Sequence, residues 1–162
     1  MKDIKIKKQF ESFYLKHRTA VYCNALLYTK SKEAAEDVMQ SVFLELLEKL
    51  KGNEDIPNLS GWVIRLTKYR ALNYISSSKQ SVPLNEKYSF TENLEGSAEK
   101  KLLIEQALSL LSDDELEIFN LKVLGGFRHR EIANALDSNP STVRWQYAQI
   151  VKKLKSVLSD LS

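Results

Sequence analysis

The chain has 162 residues, 43% of them hydrophobic, with one cysteine and a formal net charge of +3. That content can bury a core and excludes disorder throughout, while a lone Cys23 excludes an internal disulfide. No apolar run reaches the roughly 20 residues that span a bilayer, and the charged N-terminus does not read as a secretory leader, so a soluble, cytoplasmic protein with no membrane segment of its own is expected.

Charge is placed unevenly. Residues 1–80 hold 14 Lys/Arg against 9 Asp/Glu, residues 81–111 hold 3 against 5, and residues 112–162 balance at 7 against 7. Five glycines and three prolines are few for this length. Apolar residues recur at spacings of three and four, which predicts an all-α chain.

In chain order, Phe13, Tyr14, Val21, Leu26 and Leu27 suggest one or two N-terminal helices. Ser31 is the expected N-cap of the next helix, with Glu33 and Glu36 suited to the dipole of its first turn. In "EAAEDVMQSVFLELLEKL" an apolar stripe runs through Ala35, Val38, Met39, Val42, Phe43, Leu46 and Leu50. Asp37, Gln40, Ser41, Glu45 and Glu48 form its polar side. Gly52 and Asn53 end it. Ser60 is the expected cap of a third helix, "GWVIRLTKYRALNYIS", with Trp62 sharing a buried stripe with Leu66. Residues 76–97 are serine-rich and aperiodic, as a flexible linker would be. Beyond it lie "AEKKLLIEQALSLL", then a helix opened by the capping box Ser112/Glu115 and broken at Gly125 and Gly126. The short helix "REIANAL", the turn "DSNP" and a last helix with Pro140 near its start complete the chain.

No Gly-rich phosphate loop, metal-spaced Cys/His cluster or nucleophile–base arrangement is apparent, so no catalysis, metal or cofactor is implied. His17 and His129 read as satisfied or solvent-facing residues. The two short C-terminal helices four residues apart, the second of them basic, have the layout of a helix-turn-helix. Ile132, Ala133 and Leu136 are expected to pack on Val143 and Tyr147, with Ile150 and Leu154 continuing the stripe. Trp145 then faces outward. A helical hairpin without a nucleic-acid partner is the plainer reading of the same pattern.

With both halves considered together, the chain resembles the extracytoplasmic-function (ECF) group of sigma factors of bacterial RNA polymerase. The segments that carry the resemblance are "AEDVMQSVFLELLEKL", "GWVIRLTKYRALNYI" and "LSDDELEIFNLKVLGGFRHREIANALDSNPSTVRWQYAQIVKKLK". The resemblance implies a region 2-like domain (residues 1–78) for the polymerase core and the −10 promoter element, a linker (79–97), and a region 4-like helix-turn-helix domain (98–162) for the −35 element. By position, Asp37, Val38 and Gln40 match the core-binding helix, and Ser41 and Glu45 extend its polar face, with no intramolecular partner evident. In the segment matching the −10 reader, Asn53, Asn58, Arg65, Lys68, Tyr69 and Asn73 suit unstacked bases and backbone phosphates. For the −35 element, Ser141, Thr142, Arg144, Trp145 and Gln149 would lie near base edges, with Arg128, Lys152 and Lys153 nearer phosphates. An anti-sigma factor is a further partner that the resemblance implies.

The chain departs from the family pattern at Lys68-Tyr69, at the run Ser76, Ser77 and Ser78 where a basic cluster is usual, at Asp137 where the turn commonly has glycine, and at Trp145 in place of a serine. Two other readings share these features: a non-sigma helix-turn-helix regulator, and a sigma-like decoy that binds polymerase or an anti-sigma factor.

Overall fold

The computed structural model describes residues 2–77 and 97–160; residues 79–96 of the expected linker lie outside them. Lys2–Thr29 is one continuous helix, α1, which resolves the choice between one N-terminal helix and two. It ends where Lys30 takes a left-handed backbone, φ 58°. Ser31 caps α2 (Lys32–Lys51) as expected, its hydroxyl accepting from the Ala34 N–H. At the far end the Gly52 N–H donates to the Glu48 carbonyl and Asn53 turns left-handed, so the chain leaves the helix within one residue.

Helix α3 (Leu59–Ser77) is capped by Asn58 and not by Ser60. Asn58 Oδ1 accepts from the Gly61 N–H at 3.3 Å, and its carbonyl accepts from Trp62 N at 3.0 Å. The helix begins before Ser60 because an asparagine is as good a cap as serine and tolerates the left-handed backbone found at this corner, φ 55°.

These three helices form a bundle with an apolar core. Val21, Ala25 and Leu26 of α1 meet Ala35, Val38, Val42, Phe43 and Leu46 of α2 and Val63 and Ala71 of α3. Tyr14 packs edge-on against Phe43 with ring centroids 4.9 Å apart. Trp62 packs against this core as expected, and the Lys49 ammonium sits 5.9 Å from its ring centre. The lone Cys23 is buried, which pushes its thiol up to about 12 and leaves it unreactive.

The C-terminal part comprises α4 (Ala98–Leu108), α5 (Asp113–Phe119), a π-helical stretch (Asn120–Leu124), α6 (His129–Ala135) and α7 (Pro140–Asp160). Ser112 and Glu115 form the predicted capping box at the start of α5. The π-helical stretch is closed by the Gly125 N–H on the Asn120 carbonyl, and Gly126 at φ 66° turns the chain toward α6. In the turn between α6 and α7, Asp137 adopts φ 54°, the left-handed conformation that glycine commonly supplies. Ile132, Ala133, Val143 and Ile150 are fully buried, with Leu136, Tyr147 and Leu154 packed around them. The seam between the two helix-turn-helix elements is the one the sequence predicts.

The two helical bundles pack against each other. Ala20, Leu27 and Ile64 of the N-terminal bundle join the cluster of Leu116, Leu121, Phe127 and Ile132. Asn120 Nδ2 donates to the Ala20 carbonyl at 3.0 Å and to Asn24 Oδ1 at 2.7 Å, with both amides buried. His17 is not solvent-facing: it is 4% exposed and its ring stacks on Phe127 at 4.2 Å. It is satisfied in part: it bonds the Gly125 backbone, while its Nδ1 has no hydrogen-bond partner.

Candidate polymerase and nucleic-acid interfaces

The polar side of α2 is an open surface at Asp37 and Gln40, with Ser41 half-buried beside them. Val38 differs from its expected place: it is 3% exposed and belongs to the bundle core, because the apolar stripe of α2 needs it there. It supports the face from beneath. Glu45 does have an intramolecular partner, Arg70 of α3, at 2.6 Å. Arg70, Asp37, Ser41, Asn73 and Tyr74 line one shallow groove between α2 and α3. Asn73, expected to face DNA, therefore lies beside residues expected to face polymerase. Arg70 was not singled out in the sequence; the only signal there was a cation on α3 without an i±4 acidic neighbour.

The −10 candidates run along α3. Asn58 at its cap and Asn73 near its end are 15 residues apart, or roughly 22 Å at 1.5 Å per residue. Arg65, Tyr69 and Asn73 follow at helical spacing and all are exposed, Tyr69 to 61%. Lys68 lies beside them, its ammonium 5.7 Å from the Tyr28 ring centre. Asn53 and Asn58 are corner residues with left-handed backbones, and the Asn58 side chain is already used as the α3 cap. Arg65 is engaged too. Its guanidinium donates to the Asn134 carbonyl and to Asn134 Oδ1 (2.9 Å), and it lies 3.7 Å from Asp137 Oδ1.

The −35 candidates cluster at α7. Asn139 Oδ1 accepts from the Thr142 N–H at 2.8 Å, which caps the helix with Pro140 in its first turn. Ser141, Thr142, Arg144, Trp145 and Lys152 are exposed and Gln149 is half-buried. Trp145 is 64% exposed, so a large apolar ring stands among polar and basic neighbours. Lys153 is exposed, and its ammonium is 2.9 Å from both oxygens of Glu115. That bond and the Ser112 backbone N–H hold the Glu115 carboxyl below its usual range. Arg128 is exposed just before α6, where its backbone N–H donates to Glu131 Oε1. Burial pushes the Glu131 carboxyl up, but hydrogen bonds from the Arg128 backbone and the Ser60 hydroxyl bring it below its usual value. Ser60 thus joins the two bundles instead of capping α3.

Two family models match the chain. Residues 13–80 match sigma-70 region 2 and residues 101–154 match sigma-70 region 4. The chain belongs to the sigma-70 family. Its fold is similar to that of CnrH, solved in complex with the cytosolic domain of CnrY, at TM-score 0.60 and 18% identity over 96% of this chain and 91% of that one. It is similar also to the sigma factor RpoE of Bartonella quintana, solved with the anti-sigma factor NepR, at TM-score 0.64 and 19% identity over 94% and 98% of the two chains. A search of curated proteins finds no match. As a member of this family the chain is an alternative sigma factor, directing RNA polymerase to promoters in transcription initiation.

Proposed function

We propose that the surfaces divide this work as follows. The exposed side of α2, at Asp37, Gln40 and Ser41, meets the polymerase core, with the Glu45–Arg70 pair fixing the adjoining wall of the groove. Helix α3, at Arg65, Lys68, Tyr69 and Asn73, meets the −10 element: cations for phosphate and an exposed aromatic ring for an unstacked base. Helix α7, at Ser141, Thr142, Arg144, Trp145 and Gln149, reads the −35 element, and Lys152 and Arg128 approach phosphates. The domains are residues 1–78 and 98–162, tethered by 79–97. The protein acts in the cytoplasm without catalysis of its own; among the described residues no helix is long and apolar enough to cross a membrane. An anti-sigma factor is a further partner, a reading supported by the two similar structures, each solved in complex with a second protein.

The observation that carries this reading is the occurrence on one chain, in order, of the region 2 and region 4 matches, each with an exposed polar-aromatic helix face. Purified core polymerase with this protein, assayed for open complexes and discrete transcripts over bacterial genomic DNA, tests it. Specific transcripts are expected. Absence of core binding would overturn the reading, and binding without transcripts would mark the chain as a decoy.

A further inference from the structure

Helix α7 has two sides of opposite character. Val143 and Ile150 are fully buried, and Tyr147 and Leu154 pack beside them, so one side carries the packing of the helix. Trp145 stands on the other, 64% exposed, at helical spacing with Ser141, Ala148 and Lys152, all of them exposed. Ser141 and Ala148 are too short to cover an indole. A tryptophan stabilises a fold through the large area it buries, and here most of that area is in water. The ring is therefore left over from folding and open to a ligand.

The charge around it selects the class of ligand. Residues 138–159 contain no Asp or Glu, and Arg144, Lys152 and Lys155 are exposed along the helix. Such a face attracts a polyanion. Trp145 is the sixth residue of α7 and so lies in its first two turns, the part of the second helix of a helix-turn-helix that meets base edges. Both points favour duplex DNA over an apolar groove on a protein.

The chemistry of the side chain then discriminates among the bases. The indole Nε1–H donates and nothing in the ring accepts; the remainder is apolar. In the major groove cytosine presents a donor, adenine a donor and an acceptor, guanine two acceptors, and thymine an acceptor beside a methyl group, which is the apolar group of that groove. Thymine alone matches both the donor and the apolar ring. Serine, which stands here in the family pattern, both donates and accepts and so bonds any base edge.

We propose that Trp145 is a specificity-determining residue for thymine: its ring seats against the methyl group of a thymine in the −35 element, and the chain thereby prefers elements that carry thymine at that place. The proposal rests on the reading of α7 as the −35 helix. It locates a difference in promoter choice at the residue where the chain departs from the family.

The test uses core polymerase reconstituted with the full chain and a pool of random-sequence duplex DNA. Bound duplexes are sequenced, and each thymine of the selected upstream element is replaced in turn by deoxyuridine, which removes the methyl group and nothing else. At one thymine deoxyuridine is expected to weaken binding about fourfold, the worth of taking one methyl group out of water, and cytosine to weaken it about tenfold or more. Trp145→Phe should keep the methyl sensitivity. Trp145→Ser should abolish it and select elements with no preference at that position, while thermal unfolding stays as in the parent chain. Deoxyuridine without effect at every thymine, or with an equal effect in Trp145→Ser, would overturn the proposal. So would a Trp145→Ser chain that selects the parent element and binds core polymerase more weakly, which would seat the ring on protein. Arg144→Ala separates the proposal from the reading beneath it. Altered selection in Arg144→Ala with none in Trp145→Ser would keep α7 as the −35 helix and remove the thymine contact; unchanged selection in both would remove α7 from the −35 element altogether.

Discussion

The interior of the N-terminal bundle and the seam between the two bundles are both buried, yet they are made of different chemistry. The first is valine, leucine, alanine and phenylalanine contributed by α1, α2 and α3. The second mixes similar side chains with Asn24, Asn120 and His17, and with Glu117 beside Tyr28. Burying an apolar side chain is favourable wherever it packs, whereas burying an amide is favourable only while its partner is in place. The core of the N-terminal bundle therefore depends on packing alone, whereas the seam depends also on its buried amides keeping their partners.

The contrast can be broken most directly in the core. Leu46 is fully buried, and Leu46→Ala should cost about 2–5 kcal/mol, read as a lower urea midpoint for the N-terminal bundle. A loss of under half that amount would show that the core is no tighter than the seam. At the seam, Asn120→Ala leaves Asn24 buried without its donor, a cost of about 1–3 kcal/mol that should appear as undocking while the urea midpoint of the N-terminal bundle stays put. Coupled loss of both transitions would mean that the two bundles fold as one unit.

A third test uses pH. Burial lowers the His17 pKa, against a hydrogen bond to the Gly125 backbone that raises it and opposing charges on Lys16 and Glu131. The docked state then binds fewer protons than the open state, so docking is complete above the ordinary histidine value and is lost as pH falls through the depressed one. His17→Phe should remove most of that slope. His129 is also lowered, first by burial and then by Lys122 and Arg144, charges of its own bundle that remain when the seam opens. A slope unchanged in His17→Phe would place the pH sensitivity elsewhere. The smallest effect is expected from Asp137→Asn: the Asp137 side chain is 93% exposed, and exposed ion pairs contribute under about 1 kcal/mol. A larger loss of docking would show that the rim of the seam carries more of its energy than the buried amides.

Several local features were legible before the structure. The Ser31 cap, the Ser112/Glu115 box, the left-handed Asp137 and the outward Trp145 each follow from residues within four positions of one another, where backbone geometry leaves few choices. The α3 cap was misplaced by two residues because "NLS" offers two good cap residues and the competition between them is decided by the corner, not by cap strength. Val38 was assigned to a surface by its position in a motif although its place in the apolar stripe already pointed inward. The candidate reading faces of α3 and α7 were nameable as lists, but not that Lys153 would be tied to Glu115 and Arg65 to the helix-turn-helix.

By itself the sequence determined the helices, the caps of α2 and α5, the apolar stripe that closes each bundle and the family to which the chain belongs. All of these depend on short-range periodicity or on a pattern spread along the whole chain. Only the tertiary structure decided that Asn120 would meet Ala20 and Asn24, that His17 would lie on Phe127, and that Asn134 would take Arg65. Those partners lie 69 to 110 residues apart in the chain, and a polar side chain reads the same in sequence whether water or a distant helix satisfies it.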